Sequence, residues 1–131
     1  MSQENERVRA AERVLESLIA GEPDMTLVTE DFEYEQHFGS TAGLYVGEAG
    51  LRRWIETFYE IWDQASVRTD SFREAADRIA IVSRAAVRGG LTEIEVELRT
   101  TGIFRFAPDG RCCRLDSFNE DDAAEAAFLS E

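Results

Sequence analysis

The chain has 131 residues, one domain's worth of sequence, and a chain of that length can bury roughly two thirds of its unfolded surface. Its 14 basic and 27 acidic residues leave a formal charge of -13, a field that repels phosphate backbones and anionic lipid headgroups and so argues against nucleic-acid or membrane-surface partners. Every basic residue is arginine, which excludes lysine Schiff-base chemistry outright.

Hydrophobic residues make up 44% and charged residues 31%, a globular balance, and no apolar run approaches the length of a membrane span. The first residues are polar and carry no secretory signal, so a cytoplasmic location is expected. From Glu4 to Ala20, Val8, Ala11, Leu15, Leu18 and Ile19 recur at three- and four-residue spacing, which predicts an amphipathic helix ended by Gly21. Pro23 and the stretch Asp24 to Val28 predict a short second helical turn. Asp31 to His37 alternates strictly, with Phe32, Tyr34 and Gln36 on one face and Glu33, Glu35 and His37 on the other, the pattern of a half-buried strand.

A glycine-rich connection from Gly39 to Gly50 leads into a helix whose stripe is Leu51, Trp54, Ile55, Phe58 and Trp62. Three strands are then predicted, over about Ser66 to Glu74, Arg78 to Arg88 and Thr92 to Phe106. The last sets Val96, Leu98, Thr100, Gly102, Phe104 and Phe106 against Glu93, Glu95, Glu97, Arg99, Thr101 and Arg105, with Ile103 the one apolar residue on the charged side, so one face is read as wet. Pro108-Asp109-Gly110 predicts a hairpin turn into a final strand, Arg111 to Asn119. Asp121 and Asp122 open a closing helix with Ala124, Ala127 and Phe128. The neighbours Cys112 and Cys113 would point to opposite faces of that last strand and are read as buried thiols, not as a disulfide or metal site.

This order of elements, together with Gly43-Leu44-Tyr45-Val46-Gly47-Glu48-Ala49-Gly50-Leu51 and with Asp109-Gly110-Arg111 leading to Glu120-Asp121-Asp122-Ala123-Ala124, resembles the SnoaL-like branch of the nuclear-transport-factor superfamily over nearly the whole chain. The resemblance implies a single α+β domain over residues 1–131: a cone of curved, mixed, mainly antiparallel sheet wrapped by the N-terminal helices around a pocket, commonly as a homodimer. That scaffold carries enzymes, carriers and interaction modules alike, so the site must decide.

Three enzyme patterns of the superfamily bear on these residues. Against the limonene epoxide hydrolases, Tyr34 stands at the tyrosine and Gln36 at the asparagine, but strand alignment puts Ser83, Ala85 and Ser117 at the three charged positions, so the Asp-Arg-Asp set is absent. Against the ketosteroid isomerases, the first helix has no tyrosine. Against the polyketide cyclases, Asp116 lies one position from the expected acid or base, and alternation puts it on the face of Arg114 unless a bulge intervenes.

Tyr34, Gln36, Ser83, Leu98, Thr100, Ser117 and Asn119 are therefore expected to line the pocket, with Trp54 and Phe58 as one wall and no metal or cofactor. Tyr34 and Gln36 would orient or polarise a ligand oxygen; Asp116 or His37 would supply a base if turned inward. The expected function is binding of a small, largely apolar metabolite, with cofactor-free isomerase, cyclase or dehydratase chemistry by proton transfer as its catalytic form. The alternative is a non-catalytic ligand-binding or dimerisation domain.

Overall fold

The computed structural model describes residues 3–89 and 94–130, with side chains from residue 6 onward. Its elements are α1 (Gln3–Ile19), β1 (Val28–Gln36), β2 (Gly43–Val46), α2 (Gly47–Ile61), β3 (Gln64–Glu74), β4 (Arg78–Arg88), β5 (Glu95–Phe106), β6 (Cys112–Phe118) and α3 (Asp121–Leu129). The strands form one open six-stranded sheet in the order β2-β1-β6-β5-β4-β3. All neighbours are antiparallel except β1 and β6, whose parallel pairing sets Tyr34 beside Leu115 and Gln36 beside Ser117.

Period-two patterning sends Phe32, Ile79, Ile81, Phe104 and Leu115 to the inner face, where they meet Val8, Ala11, Val14 and Leu18 of α1 and Leu51, Trp54, Ile55 and Phe58 of α2 in one core. Phe32, Phe104, Leu18 and Leu51 are among the side chains fully removed from water, each contributing about 1.5–3 kcal/mol of transfer free energy. The Tyr59 hydroxyl donates to the Ile19 carbonyl and ties α2 to the end of α1. Gly50 is required by packing: a Cβ there would stand 2.8 Å from the Tyr45 carbonyl carbon, so the first turn of α2 lies directly on β2.

Four features differ from the sequence reading. Asp24 to Val28 forms no helical turn, because Asp24 Oδ1 accepts from the Thr26 amide at 3.0 Å and the Leu27 amide returns to the Asp24 carbonyl, a local turn that competes with helix. The glycine-rich connection contains β2, whose four residues pair with Glu33 to Gln36. The outer face is only partly wet: α3 covers Ala80, Ile103 and Phe118 with Ala124 and Phe128, which accounts for the apolar Ile103 among charged neighbours. Elsewhere on that face charge pairs carry the surface, as where Arg84 bridges Asp70 and Glu97. Finally, Ile94, within the strand predicted from Thr92, lies outside β5, and the expectations for Thr92 and Glu93 lie outside the described residues.

The register between β5 and β6 shifts between the Arg105–Arg114 and Phe106–Cys112 pairs, so Cys113 is the extra residue of a bulge. Cys112 therefore joins the inner core while Arg114 faces out. Both thiols are free, and burial pushes that of Cys112 up to about 12.

Candidate functional site

A cavity of about 230 Å³ opens between the inner face of the sheet and the two N-terminal helices. Its walls include Tyr34 and Gln36 from β1, Ser117 from β6, Thr100 and Leu98 from β5, and Trp54 and Phe58 from α2. Each strand residue arrives by simple alternation from the core side, and the two aromatic residues by four-residue helical spacing. Trp54 stacks on Phe58 with ring centroids 5.0 Å apart and meets Tyr34 edge-on at 5.4 Å, giving one continuous aromatic wall.

Gln36 is the hub of the polar end. Its Oε1 accepts from Trp54 Nε1 at 2.8 Å and from the Tyr34 hydroxyl at 3.2 Å, while its Nε2 donates to the Phe38 carbonyl at 2.8 Å and to the Thr41 hydroxyl. Tyr45 Oη donates to the Thr41 carbonyl at 2.6 Å, which pins the loop at the cavity mouth from its other side. Burial raises the Tyr34 phenol far above its ordinary value, and the neighbouring Ser117 hydroxyl offsets only part of that. Tyr34 is therefore a protonated, neutral group at any physiological pH.

The other expected residues are placed differently. Ser83 is buried on β4 but does not reach the cavity wall, and Asn119 is exposed beyond the end of β6. His37 and Asp116 lie on the outer face, so neither turns inward as a cavity base would have to; the bulge at Cys113 precedes Arg114 and leaves the alternation from Arg114 to Phe118 intact. Together they form an ion cluster: Arg114 bonds Glu33 at 2.8 Å, Glu35 at 2.7 Å and both oxygens of Asp116 at 2.8 Å, while His37 Nε2 lies 2.9 Å from Asp116 Oδ1. The His37 ring stacks on Phe118 at 4.4 Å. Burial alone would raise the Asp116 carboxyl, but the hydrogen bonds from Arg114 and His37 outweigh it and hold the group below its ordinary value. Glu35, His37 and Asp116 also bring three donor atoms within 4.8 Å of one another, yet both carboxylates already hold the Arg114 guanidinium.

Two participants escaped the sequence reading. Thr41, nine-tenths buried, sits in a stretch read only as a glycine-rich connection, and nothing in its spacing marks it. Arg114 had a signal, since Arg114-x-Asp116 on one strand answers Glu33-x-Glu35 on its neighbour, but only the parallel β1–β6 register makes that legible.

The sequence model of the SnoaL-like domain family matches residues 11–115. No curated protein matches the sequence. Among solved structures, TerC co-crystallised with polyporic acid is 15% identical with a TM-score of 0.75, over 95% of this chain and 98% of that one. A protein described as a SnoaL-like polyketide cyclase from Jannaschia sp. CCS1 is 13% identical with a TM-score of 0.72, over 97% and 94%. SalBIII, an epoxide hydrolase/cyclase-like enzyme in pyran ring formation in the polyether salinomycin, is 14% identical with a TM-score of 0.70, over 93% and 96%. At these identities the likeness is one of fold, and the described helices include none long and apolar enough to cross a membrane.

Proposed function

The chain belongs to the SnoaL-like domain family, and from that premise we propose that its cavity binds a small, uncharged, largely apolar metabolite without acid–base chemistry of its own. The observation that carries this reading is the wall itself: among the described residues lining the cavity, Tyr34 is the only ionisable one, and it is held protonated with its hydrogen donated to Gln36. A ligand charge would enter with no counter-charge, a cost of several kcal/mol. An apolar cavity of about 150 Å³ takes benzene, so about 230 Å³ suits a ligand of roughly ten non-hydrogen atoms, the size of a monoterpenoid or a substituted phenol.

The proton-transfer reading has less support. It needs a base at the substrate, and the two ionisable groups proposed for that role, His37 and Asp116, are engaged with Arg114, Glu35 and Phe118 across the sheet from the cavity. A thermal-shift comparison of perillyl alcohol with perillate at pH 7 tests the proposal, because a ligand specific to the folded state must raise its melting temperature. The alcohol is expected to give a saturable rise and the carboxylate none; an equal rise with both would overturn the uncharged-ligand reading.

A further inference from the structure

Gln36 sits in the middle of a hydrogen-bond chain whose direction the protein fixes. The indole N–H of Trp54 can only donate, so the Gln36 amide atom facing it at 2.8 Å is the oxygen. The Phe38 carbonyl can only accept, so the amide atom 2.8 Å from it is the nitrogen. Both ends give the same orientation independently, which removes the usual ambiguity of a glutamine amide. The second amide hydrogen therefore goes to Thr41 Oγ1, and Thr41 is the acceptor in that bond. Its own hydroxyl proton must point elsewhere, and among the described residues no acceptor takes it.

Thr41 is nine-tenths buried and lines the cavity. Its place is held from both sides: Tyr45 Oη donates to its carbonyl at 2.6 Å, and the next amide, that of Ala42, closes the turn on the Gly39 carbonyl at 3.2 Å. A buried donor without an acceptor is costly, and the cavity is where an acceptor for this one can come from. Ser40, Thr100 and Ser117 bring further hydroxyl groups to the wall, but Ser40 is exposed and Thr100 half-buried, so water can serve them. Ser117 is as buried as Thr41 and is the competing donor. Thr41 differs in standing at the end of the series Trp54, Gln36, Thr41, in which each donor polarises the next, so its unspent proton is a stronger donor than that of a hydroxyl with no amide behind it.

Resting on the binding role argued above, we propose that Thr41 is the residue that orients the ligand: the cavity takes an uncharged, largely apolar molecule bearing a carbonyl oxygen, which accepts from Thr41 Oγ1 while the hydrocarbon body lies along the wall of Trp54 and Phe58. A carbonyl brings lone pairs and no proton, which matches an unspent donor, and it recovers at Thr41 the hydrogen bond it gives up on leaving water.

The test is calorimetric titration of the purified protein with acetophenone and α-methylstyrene, in which an oxygen and a CH2 group occupy the same position on the same skeleton. The ratio of the two dissociation constants is the readout, because a change in the shape of the loop or cavity moves both ligands together. Thr41→Val is expected to shift the ratio against acetophenone by about fivefold to tenfold, the equivalent of one net hydrogen bond, and Thr41→Ser, which keeps the hydroxyl, to hold it near the wild-type value. An unchanged ratio in Thr41→Val, or a collapse in Ser117→Ala in its place, would overturn the assignment to Thr41 while leaving the binding role standing. Should Thr41→Val fold poorly, infrared difference spectroscopy reads the carbonyl stretch of bound acetophenone in wild type and in Ser117→Ala. The stretch is expected below its frequency in an alkane solvent in both, and an unshifted band in either would overturn the assignment. Binding of neither ligand would remove the cavity's binding role itself.

Discussion

Replacing Gln36 by leucine isolates the hub on which the cavity's polar end is built. The side chain is 7% exposed and leucine fills similar space, so the loss is one of polar pairing and not of volume. Trp54 Nε1–H, buried against the amide oxygen, is left with no acceptor, at about 1–3 kcal/mol. The Phe38 carbonyl stands at the half-buried mouth, where water can reach it, the Thr41 hydroxyl loses only a bond it accepts, and Tyr34 can turn toward Ser117, so these together add only about 1 kcal/mol. A total of roughly 2–4 kcal/mol follows. Urea unfolding at pH 7 reads it as a lower midpoint at unchanged slope. A loss under about 0.5 kcal/mol at unchanged slope would show that the four hydrogen bonds are not what organises this end of the cavity.

Other consequences can be checked in the same way. Gly50→Ala, which in an ordinary helix interior would stabilise by about 1 kcal/mol, is expected to destabilise by about 1–3 kcal/mol because the new methyl meets the Tyr45 backbone; thermal or urea melts give the sign directly. Asp116 is held below its unfolded value, so its contribution is present above about pH 4 and is lost as pH falls through the lower, folded value. The destabilisation by Asp116→Asn should accordingly be about 2 kcal/mol at pH 7 and shrink at pH 3, and a pH-independent difference would contradict the ion-cluster account. In the native protein a thiol reagent should modify the half-exposed Cys113 and spare buried Cys112 until unfolding, which mass spectrometry of the labelled peptide resolves.

The meander was legible because its strands alternate: Arg78 to Arg88 was bounded as the strand runs, and Tyr34, Gln36, Leu98, Thr100 and Ser117 follow the apolar parity that brings them to the cavity. The same parity set Asp116 with Arg114 and His37 with Glu33 and Glu35, the outer cluster of the structure. What escaped depended on partners that alternation along a single strand does not place. The pairing of β2 with β1 hid behind glycines that the sequence offers equally to loops. Saturation of Gln36 needs Trp54 from a helix and Thr41 from a turn, neither of which strand periodicity can place. Ile103 and Phe118, apolar among charged residues of the same face, were the available signal that α3 folds back over the sheet. Asn119 follows the inward parity of Ser117, but β6 ends at Phe118 and the alternation ends with it.

The most direct test of the central claim is to fill the cavity and ask whether binding goes with it. Ala85 lines the cavity and is only half buried, so Ala85→Phe can occupy the space without displacing the core. Thermal melts of wild type and Ala85→Phe with saturating borneol should show a rise of several degrees for wild type and none for the variant. Equal rises in both would place the ligand outside the cavity, and no rise in wild type would contradict the cavity's role as a binding site for a small uncharged molecule.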